Sequence, residues 1–217
     1  MNIEQIAERI ESYKSEGKKL FLTSSFQTHS IPLLHIISNI DKSIPVMFIN
    51  TGYLFPDTLR YRDQVTKLLG LSLINIKSLV SRNLQRNEDG NLFFTSDPDR
   101  CCYLNKTQPM ESVLANYDVW INGVRADQNT NRQNMSTEQN GAFSCKRFHP
   151  ILDWNSKMIY EYIKLNKLPR HPLDDQGYMS IGCEPCTRKI DMNNDRDGRW
   201  FGLTKTECGL HTDLIGK

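Results

Sequence analysis

Five of the six cysteines in this chain are candidates for metal binding or catalysis because of their positions in the sequence. Cys101 and Cys102 are adjacent, Cys183 and Cys186 form a C-x-x-C pair, and Cys208 stands near the end of the chain. Two intervening residues let both thiols of a C-x-x-C pair turn toward one metal. Adjacent cysteines are unusual for structural zinc, but neighbouring thiolates can bind different irons of one cluster. We therefore predict that the adjacent pair and the C-x-x-C pair together hold an iron–sulfur cluster.

Other interpretations of the cysteines stay open. The same four thiols could bind zinc, or the C-x-x-C pair could be redox-active without a metal. Cys145 has no second cysteine close to it in the sequence. A lone cysteine is more often a small packed residue than a ligand, so Cys145 is not assigned to the site. A disulfide framework is not expected, because the charged N-terminus lacks the features of a secretory signal.

Basic residues near these cysteines could offset the negative charge of a cluster that four thiolates bind. The basic residues are Lys106, Arg188, Lys189, Arg196 and Arg199.

Cys208 lies between Glu207 and Gly209, and His211 follows three residues later. Nearby positive charge lowers the pKa of a thiol, so Cys208 is a candidate nucleophile. An incidental cysteine in a frayed terminus is the alternative.

The elements that must position these residues alternate between strands and helices. Short apolar runs predict strands, and apolar residues at helical spacing predict helices. This alternation predicts a parallel sheet with crossover helices. Residues 168–217 have little apolar periodicity, and a long irregular region is usually functional or disordered. The predicted strands are 18–26, 44–50, 72–78 and 117–123, with a short extended segment at 149–154, and the predicted helices are 1–19, 30–40, 57–70, 111–117 and 156–166.

Polar residues follow the first two predicted strands. The segment 23–30 carries several hydroxyl groups just before a helix, where hydroxyls and N–H groups can hold a phosphate. Asn50, Thr51 and Gly52 follow the second strand, at the edge where open α/β sheets place ligands. Serine-rich turns also cap helices without any ligand, so this pattern alone predicts only a candidate anion site.

Charge and hydropathy exclude two classes of protein. A formal net charge of +2 is too small for a general nucleic-acid binder. The longest apolar runs, such as residues 46–49, are far too short to span a bilayer. We expect a cytoplasmic protein that binds neither nucleic acid nor membrane.

Several segments, taken in order, resemble the phosphoadenylyl-sulfate/adenylyl-sulfate reductase family, and in particular its iron–sulfur, assimilatory adenylyl-sulfate branch. The resemblance implies a doubly wound, mostly parallel α/β sheet of the adenine nucleotide alpha hydrolase-like (PP-loop) type. It also implies a reductase domain over residues 1–199 and a flexible C-terminal tail, residues 200–217, that carries Cys208. The segments are TSSFQTHS, FINTGYLFPDTLRYRD, DPDRCCYLNK, WINGVRADQ, HPILDW, GCEPCTR, DGRWFG and TECGLH.

The resemblance also implies roles for single residues. Cys208 corresponds to the catalytic nucleophile of the family, and His211 to the histidine that follows it. Arg196 and Arg199 correspond to the pair that grips the phosphosulfate, and Lys106 to a lysine near both cluster and substrate. The implied ligands of a 4Fe-4S cluster are Cys101, Cys102, Cys183 and Cys186. The implied nucleotide-binding residues are Ser24, Ser25, Phe26, Thr51, Gly52, Gly123 and Arg125.

Three departures from the family pattern concern the nucleotide contacts. Asn50 stands where many relatives have aspartate, Asn105 where many have arginine, and Gln27 where glycine is frequent. They affect the detailed map of nucleotide contacts and leave the reaction class unchanged.

The activity implied by the resemblance is the thioredoxin-dependent reduction of adenylyl sulfate (APS) to sulfite and AMP, through an S-sulfonate on Cys208. Thioredoxin or glutaredoxin would supply the electrons, and the chain would form a homo-oligomer. The nearest alternative is the same reaction on 3′-phosphoadenylyl sulfate (PAPS). More remote alternatives are a PP-loop nucleotidyl transferase and a redox sensor or zinc-stabilised module without enzymatic activity.

Overall fold

One mixed sheet is the centre of the fold. The computed structural model describes residues 1–189, 198–200, 207, 209–212 and 214. The strands lie in the order β3-β2-β1-β4-β6-β5, and every pairing is parallel except that of β5 with β6. This topology confirms the predicted, mostly parallel α/β sheet. The strands are β1 Leu20–Thr23, β2 Val46–Ile49, β3 Leu73–Ile76, β4 Val119–Asn122, β5 Glu138–Asn140 and β6 Lys146–Phe148.

The sequence-based expectations for the edge of the sheet formed by β6 and β5 need correction. Residues 149–154, predicted as an extended segment, form a loop and turn directly after β6. The antiparallel strand β5 was not predicted, because its Glu-Gln-Asn sequence has no apolar alternation. Its ladder with β6, and an ion pair between Arg9 and Glu138 at 2.5 Å, stabilise this strand instead.

Helices cover both faces of the sheet. The first begins with a capping box, in which the side chains of Asn2 and Gln5 each accept from the other's backbone N–H. The last long helix is capped by Asn155, whose side chain accepts from the N–H of Met158. None of the described helices is long and apolar enough to cross a membrane. The helices are α1 Ile3–Ser15, α2 Ile31–Ile40, α3 Pro56–Leu69, α4 Phe93–Ser96, α5 Pro98–Cys102, α6 Gln108–Leu114, α7 Thr130–Gln133 and α8 Ser156–Leu165.

Adjacent residues of a strand pack into two separate hydrophobic cores, one on each face of the sheet, because successive side chains of a strand point to opposite faces. Leu22 packs in a large cluster with residues of α1, α2, α3 and α8. Phe21 packs in a smaller cluster on the opposite face, with α6, Trp120 and Leu214. Leu214 also accepts a backbone hydrogen bond from Ala142 at 3.2 Å. A described residue of the C-terminal tail therefore belongs to the second core.

The predicted boundary between a domain at 1–199 and a tail at 200–217 stays a prediction. Arg196 and Cys208 lie outside the described residues, as does the side chain of His211.

Candidate active site

A cavity of about 220 Å³ opens where β1, β2 and β4 end. Because β1 lies between β2 and β4, the strand order reverses here, and open α/β folds bind ligands at such a point. Seven of the residues singled out from the sequence line the cavity. They are Ser24, Ser25, Thr51, Lys106, Gly123, Cys183 and Arg199.

The loop after β1 presents hydroxyl groups to the cavity. The Ser25 hydroxyl lies 3.1 Å from that of Ser30 and accepts a hydrogen bond from Gln27 Nε2 at 3.2 Å. Phe26 has a left-handed backbone, with φ of 53°, and its N–H donates to Ser24 Oγ at 3.0 Å. This turn aims the Phe26 ring into the core and leaves the serines beside the start of the next helix. Hydroxyl groups in that position can bind an anion.

The loop after β2 connects the larger cavity to the C-x-x-C segment. Thr51 Oγ1 lies 3.2 Å from Cys183 Sγ and accepts a hydrogen bond from the N–H of Tyr53. The Tyr53 carbonyl in turn accepts from the N–H of Glu184 at 2.7 Å. Leu54 and Cys183 form a β-bridge. One threonine therefore contacts both the cavity and a predicted cluster ligand.

All four predicted ligands line a second, smaller cavity beside the first. The adjacent pair ends α5, whereas Cys183 precedes the turn Glu184–Cys186 and Cys186 is its last residue. Asn105 donates to the carbonyl of Cys101 at 2.9 Å and approaches its sulfur at 3.6 Å. The pKa of the Cys101 thiol is raised to about 12, first by burial and then by the three other thiols. The structure therefore brings together two cysteine pairs that lie some eighty positions apart in the sequence.

The four thiols share one cavity. Thiolate ligands are the donors that both iron–sulfur clusters and structural zinc use, so the donor set fits either centre. Among the described residues, no group of three or more His, Cys, Asp or Glu side chains is arranged to hold one metal ion.

Lys106 lines both cavities. It lies in a π-helical turn, Tyr103–Thr107, that joins α5 to α6. Such turns occur often at functional sites, because the extra residue re-aims the side chains around it. The turn Gly209–His211 of the C-terminal segment contacts this π-helical turn, and Leu210 lines the larger cavity. The neighbours of Cys208 in the chain therefore lie next to the element that carries Lys106.

Arg199 reaches the larger cavity from a short antiparallel pairing. The N–H of Arg188 donates to the carbonyl of Gly198 at 2.8 Å, and that of Trp200 donates to Cys186 at 3.1 Å. The guanidinium of Arg199 packs so closely on Gly182 that a Cβ at residue 182 would overlap it. The glycine of the GCEPC motif therefore makes room for this arginine, a role that the sequence pattern did not reveal.

Three other residues singled out from the sequence are not among the described residues that line the cavity. Phe26 packs against Phe48 in the core, with ring centroids 5.5 Å apart. Gly52 adopts φ of 75° and forms the turn itself. Arg125 is buried and holds Asp127 through Nε at 2.9 Å. These residues shape the walls of the site from behind.

The structure also adds polar residues that sequence reasoning missed. Asn122 and Arg132 line the cavity. His149 Nδ1 lies 2.5 Å from Asn122 Oδ1, and burial with two nearby arginines lowers the pKa of His149 to about 3. A neutral His149 therefore donates to Asn122 and fixes its amide. The contact between His149 and Asn122 spans 27 positions in the chain, so no local sequence signal could have found it.

Comparisons with known proteins first define the class. The phosphoadenylyl-sulfate (PAPS) reductase of Candida auris, solved as a phosphate complex, superposes with a TM-score of 0.68 at 22% identity, covering 82% of this chain and 87% of that one. The FMN adenylyltransferase of Candida glabrata in complex with ATP gives a TM-score of 0.59 at 14% identity, covering 92% of this chain and 63% of that one. The chain therefore has a PP-loop-type α/β fold.

Sequence comparison then gives the family. Residues 19–189 match the phosphoadenosine phosphosulfate reductase domain, and the chain belongs to that family. The adenosine 5′-phosphosulfate reductase of Rhodococcus erythropolis is 39% identical over 183 residues, which cover 82% of this chain and 73% of that protein. These findings confirm the predicted family, the predicted fold and the prediction that the chain is a reductase.

Proposed function

We propose that this chain reduces APS to sulfite and AMP with electrons from thioredoxin or a related dithiol. Its relative in Rhodococcus erythropolis, named an adenosine 5′-phosphosulfate reductase, supports the choice of substrate. The observation that carries the proposal is one shared cavity. Anion-binding hydroxyls, Lys106 and Arg199 line it together with Leu210, two residues beyond Cys208.

In the first step, the thiolate of Cys208 attacks the sulfur of the phosphosulfate. A bond forms between the cysteine and substrate sulfurs, and the bond from sulfur to the bridging oxygen breaks. AMP leaves with that electron pair, and an S-sulfonate stays on Cys208. Attack by one anion on another is favoured when fixed cations neutralise both, a role that suits Lys106 and Arg199.

In the second step, a thiolate of the donor attacks Cys208 Sγ and expels sulfite with the bonding electron pair. The second donor thiol then resolves the mixed disulfide, so the dithiol is oxidised and Cys208 is regenerated. The two electrons come from the dithiol. The donor must therefore reach Cys208 from outside the cavity.

A 4Fe-4S cluster on Cys101, Cys102, Cys183 and Cys186 completes the proposal. When bound, the cluster supplies a local electrostatic field beside the substrate, with no part in electron transfer. Lys106 lines both cavities and so would respond to that field. Thr51 would hold the C-x-x-C segment against the nucleotide side through its contact with Cys183.

We further expect a cytoplasmic enzyme that forms a homo-oligomer. Its domain would comprise residues 1–199, with residues 200–217 as a mobile tail that exposes Cys208 to the donor. Size determination in solution tests the homo-oligomer, and limited proteolysis near residue 200 tests the boundary between domain and tail.

Mass spectrometry after incubation with APS, without reductant, tests substrate, nucleophile and mechanism together. We expect an adduct of the mass of SO₃ on the peptide that holds Cys208, and none on the peptide that holds Cys145. Cys208→Ser should lose both the adduct and sulfite release. A nucleotidyl transferase or a sensor would leave Cys208 unmodified in wild-type protein, which would refute the proposal.

The choice between APS and PAPS depends on basic side chains around one extra phosphate. Sulfite release from each nucleotide, measured at equal concentration, distinguishes them. Faster turnover of APS supports the proposal. Equal or faster turnover of PAPS would refute a preference for APS while leaving the reaction class intact.

A further inference from the structure

The side chain of Asn122 has a buried donor without an acceptor among the described residues. Asn122 ends β4, lines the larger cavity and is only 3% exposed. No described residue accepts a hydrogen bond from its Nδ2, although that atom is shielded from water. Buried polar atoms in folded proteins nearly always have a partner. Because Asn122 lies in the wall of a cavity, its free donor points to an atom of a bound ligand.

The neighbouring strand determines which end of the Asn122 amide is left for that ligand. β4 and β6 pair in parallel, with Ile121 opposite Phe148. The next residues of the two segments are Asn122 and His149, which therefore lie side by side. His149 is fully buried, and its Nδ1 donates to Asn122 Oδ1 at 2.5 Å. The amide oxygen is thereby occupied, and Nδ2 is the end that remains for a ligand.

The charges around this pair favour an anionic acceptor. Burial, and then the positive charges of Arg147 and Arg132, lower the pKa of His149 to about 3, so His149 is neutral at physiological pH. The carboxylate of Glu207 pairs with Arg132 at 2.7 Å, which leaves one positive charge in excess among these three described side chains. An amide donor near such an excess suits a sulfate or phosphate oxygen, which gains from hydrogen bonds and from positive potential.

Asn122 lies on the wall of the cavity next to the C-terminal turn Gly209–His211. Side chains alternate along β4, so Asn122 and Trp120 point to the same face of the sheet. Leu210 packs against the hydrophobic cluster that contains Trp120, and Leu210 also lines the cavity. Because Leu210 is two residues from Cys208, this wall suits the reacting, sulfuryl end of the substrate better than its adenosine end.

We propose that Asn122 is a further substrate-binding residue, whose Nδ2 donates to a sulfuryl oxygen of APS, and that His149 is a positioning residue that orients the amide for this contact. The inference rests on the proposed function and names one more contact of the same site. The sulfuryl group is present in APS and absent from AMP. The hydrogen bond therefore exists before sulfur transfer and is lost with it, so Asn122 favours binding of the substrate over the nucleotide product.

Nucleotide binding to the full-length protein tests the contact without turnover. Titration calorimetry in a Cys208→Ser background, which cannot form the S-sulfonate, compares the Kd values for APS and AMP. Asn122→Ala should raise the Kd for APS by about 10- to 100-fold, the loss expected for a hydrogen bond to a charged group, and change that for AMP by less than about twofold. An equal loss for both nucleotides would assign the donor to the α-phosphate or the ribose and overturn the proposal, as would no loss for either.

Two further variants separate the donor from the shape of the side chain. Asn122→Asp keeps the shape and the acceptor for His149 but places a carboxylate oxygen where the donor was. APS should therefore bind to it at least as weakly as to Asn122→Ala. Asn122→Ser retains a hydroxyl donor on a shorter side chain and should recover part of the affinity. Wild-type affinity for APS in Asn122→Asp would show that the amide donates nothing to the substrate.

The ratio of the Kd for AMP to the Kd for APS tests His149, because a merely structural role would change both values alike. His149→Ala lets the amide rotate and should lower this ratio, by less than Asn122→Ala does. His149→Gln keeps a neutral donor for Asn122 Oδ1 and should restore most of the ratio. An unchanged ratio in His149→Ala would refute the positioning role.

Asn166→Ala is the matched control. Asn166 follows the last turn of α8, where its Nδ2 donates to the carbonyl of Tyr162 at 2.9 Å, and it is not among the described residues that line the cavity. Both Kd values should stay at those of the background. Absence of an SO₃ adduct on wild-type protein would refute the proposed function, whereas a wild-type adduct with unchanged Kd values in Asn122→Ala would refute this inference alone.

Discussion

In the part of the chain that the structure describes, cysteines lie in two buried regions, which differ in what surrounds the thiol. Cys101 lies in the small cavity with three other thiols, whereas Cys145 lies in the apolar cluster with Phe21, Met47 and Trp120. The pKa of each thiol is raised to about 12, and burial is the largest cause in both. The next causes differ: other thiols act on Cys101, and the carboxylate of Asp118 acts on Cys145.

Burial alone therefore does not distinguish a ligand from a packing residue. A lone thiol in an apolar cluster keeps its proton and behaves as a small apolar side chain. Four thiols in one cavity cannot all ionise unless a cation compensates them, so the group gains most from binding a metal centre. The comparison predicts that loss of a cysteine removes the metal centre and activity in the first region, and lowers only the free energy of unfolding in the second.

The largest expected effect is at the cluster ligands. Cys183→Ser removes one thiolate and its contact with Thr51, so we expect loss of iron and a fall in turnover of at least about 100-fold. Iron analysis and visible absorption after anaerobic purification measure it, with about four irons per chain expected in wild type. A colourless, zinc-loaded wild-type protein would show that the site holds zinc instead.

Removing the cation between the two cavities should affect rate and leave the metal in place. Lys106→Ala should lower the turnover number by about 10²- to 10³-fold, the loss typical of one preorganised electrostatic contact. Lys106→Arg, which keeps the charge on a differently shaped side chain, should recover part of it. Iron content should stay at the wild-type value in both variants, and its loss would mean that Lys106 supports the cluster structurally.

A change at Gly182 should weaken substrate binding through Arg199. In Gly182→Ala the new methyl group displaces the guanidinium, which should raise the KM for APS by about tenfold, the value of a charged hydrogen bond. The free energy of unfolding should fall by only about 1 kcal/mol, because the end of a flexible side chain can move.

A double-mutant cycle tests whether Gly182→Ala acts on substrate binding through Arg199. Gly182→Ala should have no further effect on KM in an Arg199→Ala background. An additive effect would show that Gly182 acts independently of Arg199.

The smallest effect should come from Cys145. Cys145→Ala leaves a small void in an apolar cluster and should lower the free energy of unfolding by about 1–2 kcal/mol. Denaturant unfolding measures that loss. Turnover and iron content should match wild type, and a change in iron content would contradict the division of the cysteines drawn above.

The sequence by itself determined the fold class and the family. Four of the six strands were recognised because each lies in a short, mainly apolar run between turn residues, as in residues 46–49. The CC, GCEPC and ECGLH motifs are local patterns, so the resemblance they carry needed no coordinates. Strand β5 escaped this reasoning because its pairing with β6, and not its composition, makes it a strand.

Only the tertiary structure decided which residues share a cavity. Thr51 meets Cys183 across 132 positions, and Arg132 meets Glu207 across 75, distances over which periodicity and motif spacing carry no information. It likewise assigned Arg125 to an ion pair with Asp127 behind the site and gave Gly182 its role beneath Arg199. Motifs record which side chains a site needs, whereas hydrogen bonds and close packing between distant segments determine where each one lies.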